Sequence, residues 1–214
     1  MPTGLLLGYV VAAAMVAVTV IGWVRWRRLD SGGRWLVVAV TVTVALLPIS
    51  LWLIYGGRSN RLLNEGEYLV QTVLLVAAFA QWQPGDRRRR RVWWVVPWFV
   101  AAWAVAQLIQ GLDADFSFVS APVAGLVKVA VAGYTLVGQV EGSPGRWTDN
   151  LWFWAATGVM VIYGTAVILD PLWFQLFRVR DDLALAAFGV NVTGNVIGYL
   201  LIARGLWRLR GASS

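Results

Sequence analysis

The chain has 214 residues, of which 59% are hydrophobic and 14% are charged, and its mean hydropathy is +0.66. A soluble domain of this size usually has about a quarter charged residues, so the composition indicates a membrane-embedded chain. The sequence contains no cysteine and no histidine. This excludes disulfides, thiol nucleophiles, Cys or His metal sites and Ser-His-Asp triads, and we expect neither a metal nor a cofactor.

Seven apolar runs are each long enough to cross the hydrocarbon core, which takes about 20 residues. Their predicted bounds are 5–24, 35–55, 63–82, 92–110, 116–138, 151–169 and 183–207. The connections are short and rich in Gly, Pro, Arg and Asp. The sequence therefore predicts a single all-α domain over residues 1–214, a polytopic membrane protein with seven transmembrane helices. No basic segment precedes the first run, so we expect a retained helix rather than a signal peptide.

The distribution of arginine predicts the orientation. The segments after the first, third, fifth and seventh runs hold 13 arginines, and those after the second, fourth and sixth hold four. Because cytoplasmic loops are enriched in arginine, we expect the N-terminus outside and the C-terminus in the cytoplasm. The net charge of +7 is attributed to these loops and not to nucleic-acid binding. The run Arg87–Arg91 is predicted to be a solvated loop near anionic lipid.

The acidic residues are predicted to gather at the outer ends of the helices. Seven of the 11 have such positions: Glu65, Glu67, Asp113, Asp115, Asp170, Asp181 and Asp182. Two interpretations stay open. The carboxylates form a rim that attracts cations, or they are tolerated there because arginine is disfavoured.

Lys128 is the only lysine and lies near the middle of the fifth run. It is about 15 Å from either end of the helix, which is too far for easy snorkelling. A lysine in mid-membrane costs about 2.5 kcal/mol or more. We therefore expect Lys128 to face the interior of the bundle or a wet cavity.

Other runs carry polar side chains at a similar or more external depth. These candidate partners of Lys128 are Glu67, Gln71, Gln107, Tyr163, Asn191 and Asn195. Polar groups without partners are costly in hydrocarbon, so we expect these side chains to meet. One interpretation is a water-filled pocket open to the outer side, with Lys128 at its floor and Glu67 towards its mouth. The other is a set of interhelical hydrogen bonds that stabilise packing by about 1 kcal/mol or less. No catalytic residue is assigned.

Gly194 and Gly198 form a pair of small residues four positions apart, which lets a neighbouring helix approach closely. Packing within the chain explains the pair, and a homodimer contact is the alternative.

Three segments resemble a group of uncharacterised bacterial seven-helix integral membrane proteins. They are residues 64–71, residues 151–163 and the seventh run with its asparagines. That group has an Asn and a Glu seven apart in helix 3, and Gln71 stands here in place of the Glu. The resemblance implies the cytoplasmic membrane of a bacterium, and membrane sensing is a plausible role for such proteins. A buried lysine also resembles retinal proteins, but they hold it in helix 7, where this chain has Asn191 and Asn195.

Three functions follow from these features. The first, favoured by the lack of nucleophiles and metal ligands, is a non-enzymatic sensor or accessory subunit. Besides the lipid bilayer, it would bind a small ligand, a membrane partner protein or a second copy of the chain. The second is a small-molecule transporter built from two parallel three-helix repeats and a linker helix. The third is an intramembrane enzyme similar to a terpene cyclase, with Glu67 as its acid.

Overall fold

The computed structural model describes residues 2–110, 119–142, 147–177 and 181–208. Within these ranges the chain forms seven α-helices and two short 3₁₀ turns, with no strand. Six of the helices are long and apolar enough to cross a membrane, and α1 contributes a shorter apolar stretch, Gly8–Val24. The predicted all-α class is confirmed, and a multi-pass arrangement in a lipid bilayer suits these helices.

The helices are α1 Pro2–Val24, α2 Ser31–Tyr55, α3 Arg61–Gln81, α4 Asp86–Gln110, α5 Ser120–Gly142, α6 Leu151–Phe177 and α7 Asp181–Arg208. The 3₁₀ turns are Trp26–Arg28 and Trp147–Asp149. The predicted fifth run began at residue 116, and residues 116–118 lie outside the described part of the chain.

A side-chain cap explains why α2 begins before the predicted residue 35. The Asp30 carboxylate accepts a hydrogen bond from the backbone N–H of Gly33 at 2.7 Å, which satisfies a donor of the first turn. Its second oxygen accepts from Nε1 of Trp82 at 2.8 Å. The cap therefore also joins the start of α2 to the end of α3.

The arginine run is helical, so its predicted loop conformation is wrong. Helix α4 begins at Asp86 and includes Arg87–Arg91 in its first turns. Arginine is a good helix former, and an aspartate in the first turn is favourable beside the positive end of the helix dipole. Arg88 pairs with Glu141 near the end of α5 at 2.8 Å, so α4 and α5 are antiparallel.

The helices follow one another around a ring, which closes where α1 packs against α7. Inside the ring, α3 packs on α5 as well as on α2 and α4, and α2 touches α6. Helix α3 is the least apolar of the six candidate spans, yet it is among the most buried. Its polar side chains therefore face other helices.

Glycines bring α6 and α7 into close contact. A Cβ added at Gly158 would lie 2.6 Å from the carbonyl oxygen of Gly198. One added at Gly194 would lie 2.7 Å from the hydroxyl of Thr165. The Gly194 and Gly198 pair thus serves packing within the chain.

One end of the bundle is rich in arginine and tryptophan, and we call it the arginine end. Arg25, just after α1, lies 5.3 Å from the ring centroid of Trp207 near the end of α7. Arg204 lies 4.5 Å from the ring of Trp154 at the start of α6. Such cation–π pairs suit a membrane interface, where amphipathic rings concentrate.

Candidate functional site

Lys128 lies inside the bundle, with 1% of its surface exposed. Its Nζ donates a hydrogen bond to Oε1 of Gln71 on α3 at 2.5 Å. The same nitrogen lies 4.1 Å from the ring centroid of Tyr163 on α6. The ammonium group is therefore solvated by the protein instead of by water or headgroups.

Gln71 continues the contact to a further helix. Its Nε2 donates to the hydroxyl of Thr43 on α2 at 2.8 Å, and that hydroxyl donates to the carbonyl oxygen of Ala39 at 3.4 Å. The hydrogen bonds thus run in one direction, away from the Lys128 amine and towards the backbone of α2. The buried amide thus has both its oxygen and its nitrogen occupied, as burial in a low-dielectric interior requires.

Aromatic rings and a carboxylate complete the surroundings of Lys128. The ring of Tyr68 lies 5.9 Å from Nζ, in addition to that of Tyr163. A cation over an aromatic face gains about 2 kcal/mol or more when desolvated. The Glu67 carboxyl lies beside Thr43 and interacts electrostatically with Lys128. Glu67 is half-buried.

We call this group the lysine network: Lys128, Gln71, Thr43, Glu67, Tyr68 and Tyr163. It spans α2, α3, α5 and α6. Tyr199 of α7, which is buried, interacts electrostatically with both Glu67 and Tyr163. Of the sequence-predicted partners of Lys128, the structure brings Gln71, Glu67 and Tyr163 together with it.

Gln107 belongs to a second cluster, centred on Glu65. Glu65 is 3% exposed and accepts hydrogen bonds from Ser120 Oγ at 2.6 Å, Gln107 Nε2 at 2.5 Å and Trp103 Nε1 at 3.1 Å. The Gln107 oxygen in turn accepts from the buried Arg61 guanidinium at 3.3 Å. Glu65 is six positions before Gln71 in α3, so the two clusters are about 9 Å apart along the helix.

Glu65 therefore departs from the predicted acidic rim. It lies near the end of α3, but its carboxylate is enclosed by α4 and α5. A buried carboxylate requires several donors, and Glu65 accepts hydrogen bonds from donors on both α4 and α5. The side chains of the remaining rim residues, Asp113, Asp115, Asp170, Asp181 and Asp182, lie outside the described residues.

Asn191 and Asn195 lie one turn apart on α7 and contact each other. Nδ2 of Asn195 donates to the backbone oxygen of Asn191 at 2.8 Å and to its side-chain oxygen at 3.1 Å. Both residues are half-buried. These two bonds remain within one helix. Tyr199, one turn further along α7, interacts with Glu67.

Sequence reasoning missed Thr43, Tyr68 and Tyr199. A helical-spacing signal existed for two of them. Tyr68 is three residues before Gln71, and Tyr199 is four residues after Asn195, so each shares a helix face with a residue already singled out. Thr43 lies near the middle of the second predicted run and could have been found by depth alone.

The lysine network combines several kinds of polar group at one place in the bundle. It offers an ammonium group, a carboxylate, an amide and phenolic rings in a low-dielectric interior. Within the described ranges, no group of three or more His, Cys, Asp or Glu side chains could hold a metal ion.

In comparisons with known proteins, no family model, no curated protein and no solved structure matches the chain. The resemblance to the bacterial seven-helix group stays a prediction.

Proposed function

We propose that the protein is a non-enzymatic sensor or accessory subunit of the cytoplasmic membrane of a bacterium, and that the lysine network is its responsive part. The supporting observation is that Lys128, which is almost completely buried, is bonded to Gln71 and lies over the ring of Tyr163. This one side chain thereby contacts two other helices.

The cost of burying the charge argues for a role beyond packing. An apolar side chain at position 128 would fill the same space without the desolvation cost of an ammonium group. Membrane-embedded ionisable residues are by default candidates for function. A network that joins α2, α3, α5 and α6 by directional bonds rearranges when one of its members changes partner, which is the kind of discrete change that a sensor requires.

The ligand of this proposal is a small molecule with a carboxylate or phosphate group that competes with Gln71 for Lys128. It enters from the outer side. The proposed topology has the N-terminus outside, the C-terminus in the cytoplasm and α1 as a seventh span. The arginine bias of the sequence and the arginine end of the bundle support this orientation.

The test is ligand-induced stabilisation of the purified protein in detergent. A panel of short carboxylates and sugar phosphates is added while the thermal unfolding midpoint is recorded. A compound that binds only the folded state increases the free energy of unfolding, by about 2.7 kcal/mol at 100 times its Kd. The unfolding midpoint rises as a result. We expect Lys128→Met to abolish the shift while the protein stays helical and monodisperse.

Gln139→Met is the matched control for Gln71→Met. Gln139 also donates to a partner on another helix, the carbonyl oxygen of Trp82, but at the arginine end. The control should keep the ligand response of the unchanged protein, whereas Gln71→Met, which removes the group that competes with the ligand for Lys128, should enlarge it. An unchanged response in Lys128→Met would exclude the role that we assign to this lysine.

A transporter is the second candidate. In a fold of two three-helix repeats with a linker, α2 and α6 are equivalent positions, and here they touch inside the ring. Proteoliposomes loaded with a stabilising compound from the panel would then exchange it across the bilayer. Binding without flux would favour the sensor.

The intramembrane-enzyme alternative has Glu67 as its acid. Glu67 interacts with Thr43 and Lys128, surroundings that suit a charge partner better than an acid facing an apolar substrate. Glu67→Gln should eliminate turnover of a prenylated substrate if this alternative holds.

A further inference from the structure

A cleft of about 360 Å³ lies between α4 and α5, outside the lysine network. Its walls include Val95, Val127 and Val131, with Ala130 open to the surroundings. Arg91 and Tyr134 also line it. The volume lies within the ~300–1,000 Å³ typical of small-molecule sites.

The cleft is apolar along most of its length and cationic at one end. Because α4 and α5 are antiparallel, Arg91 near the start of α4 and Tyr134 in the second half of α5 lie towards the same end. Val127 lies seven residues before Tyr134, which is about 10 Å deeper along the helix. Half of a bilayer core is about 15 Å thick, so the cleft matches much of the depth of one leaflet.

We propose that the cleft binds an anionic phospholipid, with one acyl chain between α4 and α5 and the phosphate on Arg91. Charge complementarity selects this occupant. Arg91 closes a run of five arginines, and arginine binds phosphate oxygens through two parallel N–H donors. Arg88 in the same run is paired with Glu141, whereas Arg91 lines the cleft. The exposed Trp94, at 62%, places an interfacial aromatic ring one turn or less from Arg91.

The inference does not depend on the proposed sensor function, because none of the cleft residues belongs to the lysine network.

Native mass spectrometry of the detergent-purified protein tests the proposal. Phosphatidylglycerol is added and its retention is compared with that of phosphatidylcholine carrying the same chains. We expect one phosphatidylglycerol to be retained per protein. Arg91→Gln should weaken its binding by about tenfold or more, because it removes the charge and the paired N–H donors of the guanidinium. Ala130→Trp, which fills the cleft, should reduce retention of both lipids.

Two control variants match these changes. Arg87→Gln removes an exposed arginine of the same run that does not line the cleft, and Ala101→Trp adds an indole to an exposed position of α4 outside it. Both should retain phosphatidylglycerol as the unchanged protein does. A phosphatidylglycerol with a diazirine in its acyl chain should label residues 92–95 or 127–134, which line the cleft, in the unchanged protein. This readout needs no variant to fold.

Four results would overturn the proposal. They are equal losses in Arg87→Gln and Arg91→Gln, equal retention of the two lipids, full competition by inorganic phosphate, and labelling outside residues 92–95 and 127–134. A dimer mass that Ala130→Trp abolishes, in place of bound lipid, would instead assign the face to a second copy of the chain.

Discussion

At the scale of single residues, the feature to explain is a lysine whose ammonium group has lost its water. Lys128 donates to Gln71 and lies over Tyr163, and Glu67 supplies a counter-charge. These interactions offset a desolvation cost that no apolar residue would have. Removal of the two partners of this hydrogen bond is therefore not equivalent. Loss of the Gln71 side chain leaves a buried charge without its acceptor, whereas loss of the Lys128 side chain leaves only an amide.

A double-mutant cycle exposes this asymmetry. Gln71→Leu leaves the buried ammonium group without its acceptor and should lower the free energy of unfolding by about 3 kcal/mol. Lys128→Met removes the charge as well as the hydrogen bond, so it should lower the free energy of unfolding by only about 1 kcal/mol. The double variant should be more stable than Gln71→Leu alone, with a coupling energy of about 2 kcal/mol. Unfolding by SDS in mixed micelles measures all three values.

Gln139→Leu serves as the control in the same experiment. It removes an amide that contacts another helix but has no lysine as its partner. Additive effects of Lys128→Met and Gln71→Leu would contradict the energetic link between the two residues.

At the scale of helices, α3 contributes to polar contacts along its whole length. Arg61 and Glu65 belong to the cluster centred on Glu65, and Gln71 belongs to the lysine network. At the arginine end, Gln81 accepts a hydrogen bond from Ser31 at 3.3 Å. Helix α5 carries the lysine, and α3 carries three of the residues around it, Glu67, Tyr68 and Gln71.

The close approach of α6 and α7 leads to a prediction at this scale. In Gly158→Ala the added Cβ would lie 2.6 Å from the backbone oxygen of Gly198, and backbone cannot move aside cheaply. We expect the free energy of unfolding to fall by about 1–3 kcal/mol, the usual effect of overpacking. The same SDS titration measures the loss.

Gly164→Ala is the matched control on the same helix, because a Cβ there has no neighbour within 4 Å. Its effect should stay within about 0.5 kcal/mol. Equal losses at the two positions would show that the loss at Gly158 does not come from its contact with α7.

At the scale of the whole molecule, the absence of cysteine from the sequence permits a clean topology test. Ser59→Cys lies in the exposed connection between α2 and α3, and Asp86→Cys lies at the exposed start of α4. A membrane-impermeant maleimide should label Ser59→Cys in intact cells and Asp86→Cys only after permeabilisation. The reverse pattern would invert the proposed orientation.

The same labelling assay, applied to the two ends of the chain, determines whether the number of spans is odd or even. A cysteine added before Met1 and one at Ser213 should lie on opposite sides if α1 crosses the membrane. Labelling of both from the same side would leave six spans. The unmodified protein controls for background labelling.

Hydropathy was sufficient to predict the helices, because a lipid-facing helix must be apolar over its length. Hydropathy did not predict the helical conformation of Arg87–Arg91, because a helical turn in water or among headgroups has no apolar residues to reveal it. The burial of Lys128 could be predicted from the free-energy cost of exposing a lysine to lipid. Its neighbours could not be predicted, because the depth of a residue along its helix does not determine which neighbouring helix its side chain faces. Gln107 has a plausible depth but contacts Glu65.

The polar character of α3 has a consequence for how the chain enters the membrane. A helix with Arg61, Glu65, Glu67 and Gln71 gains little by leaving water alone, since polar side chains oppose insertion, by up to about 2.5–3.5 kcal/mol for a charged one at the membrane centre. Several of its partners, including Gln107, Ser120 and Lys128, lie on α4 and α5, which are synthesised later. We therefore expect stable insertion of α3 to depend on the two helices that follow it in the chain, because they supply the partners of its polar side chains.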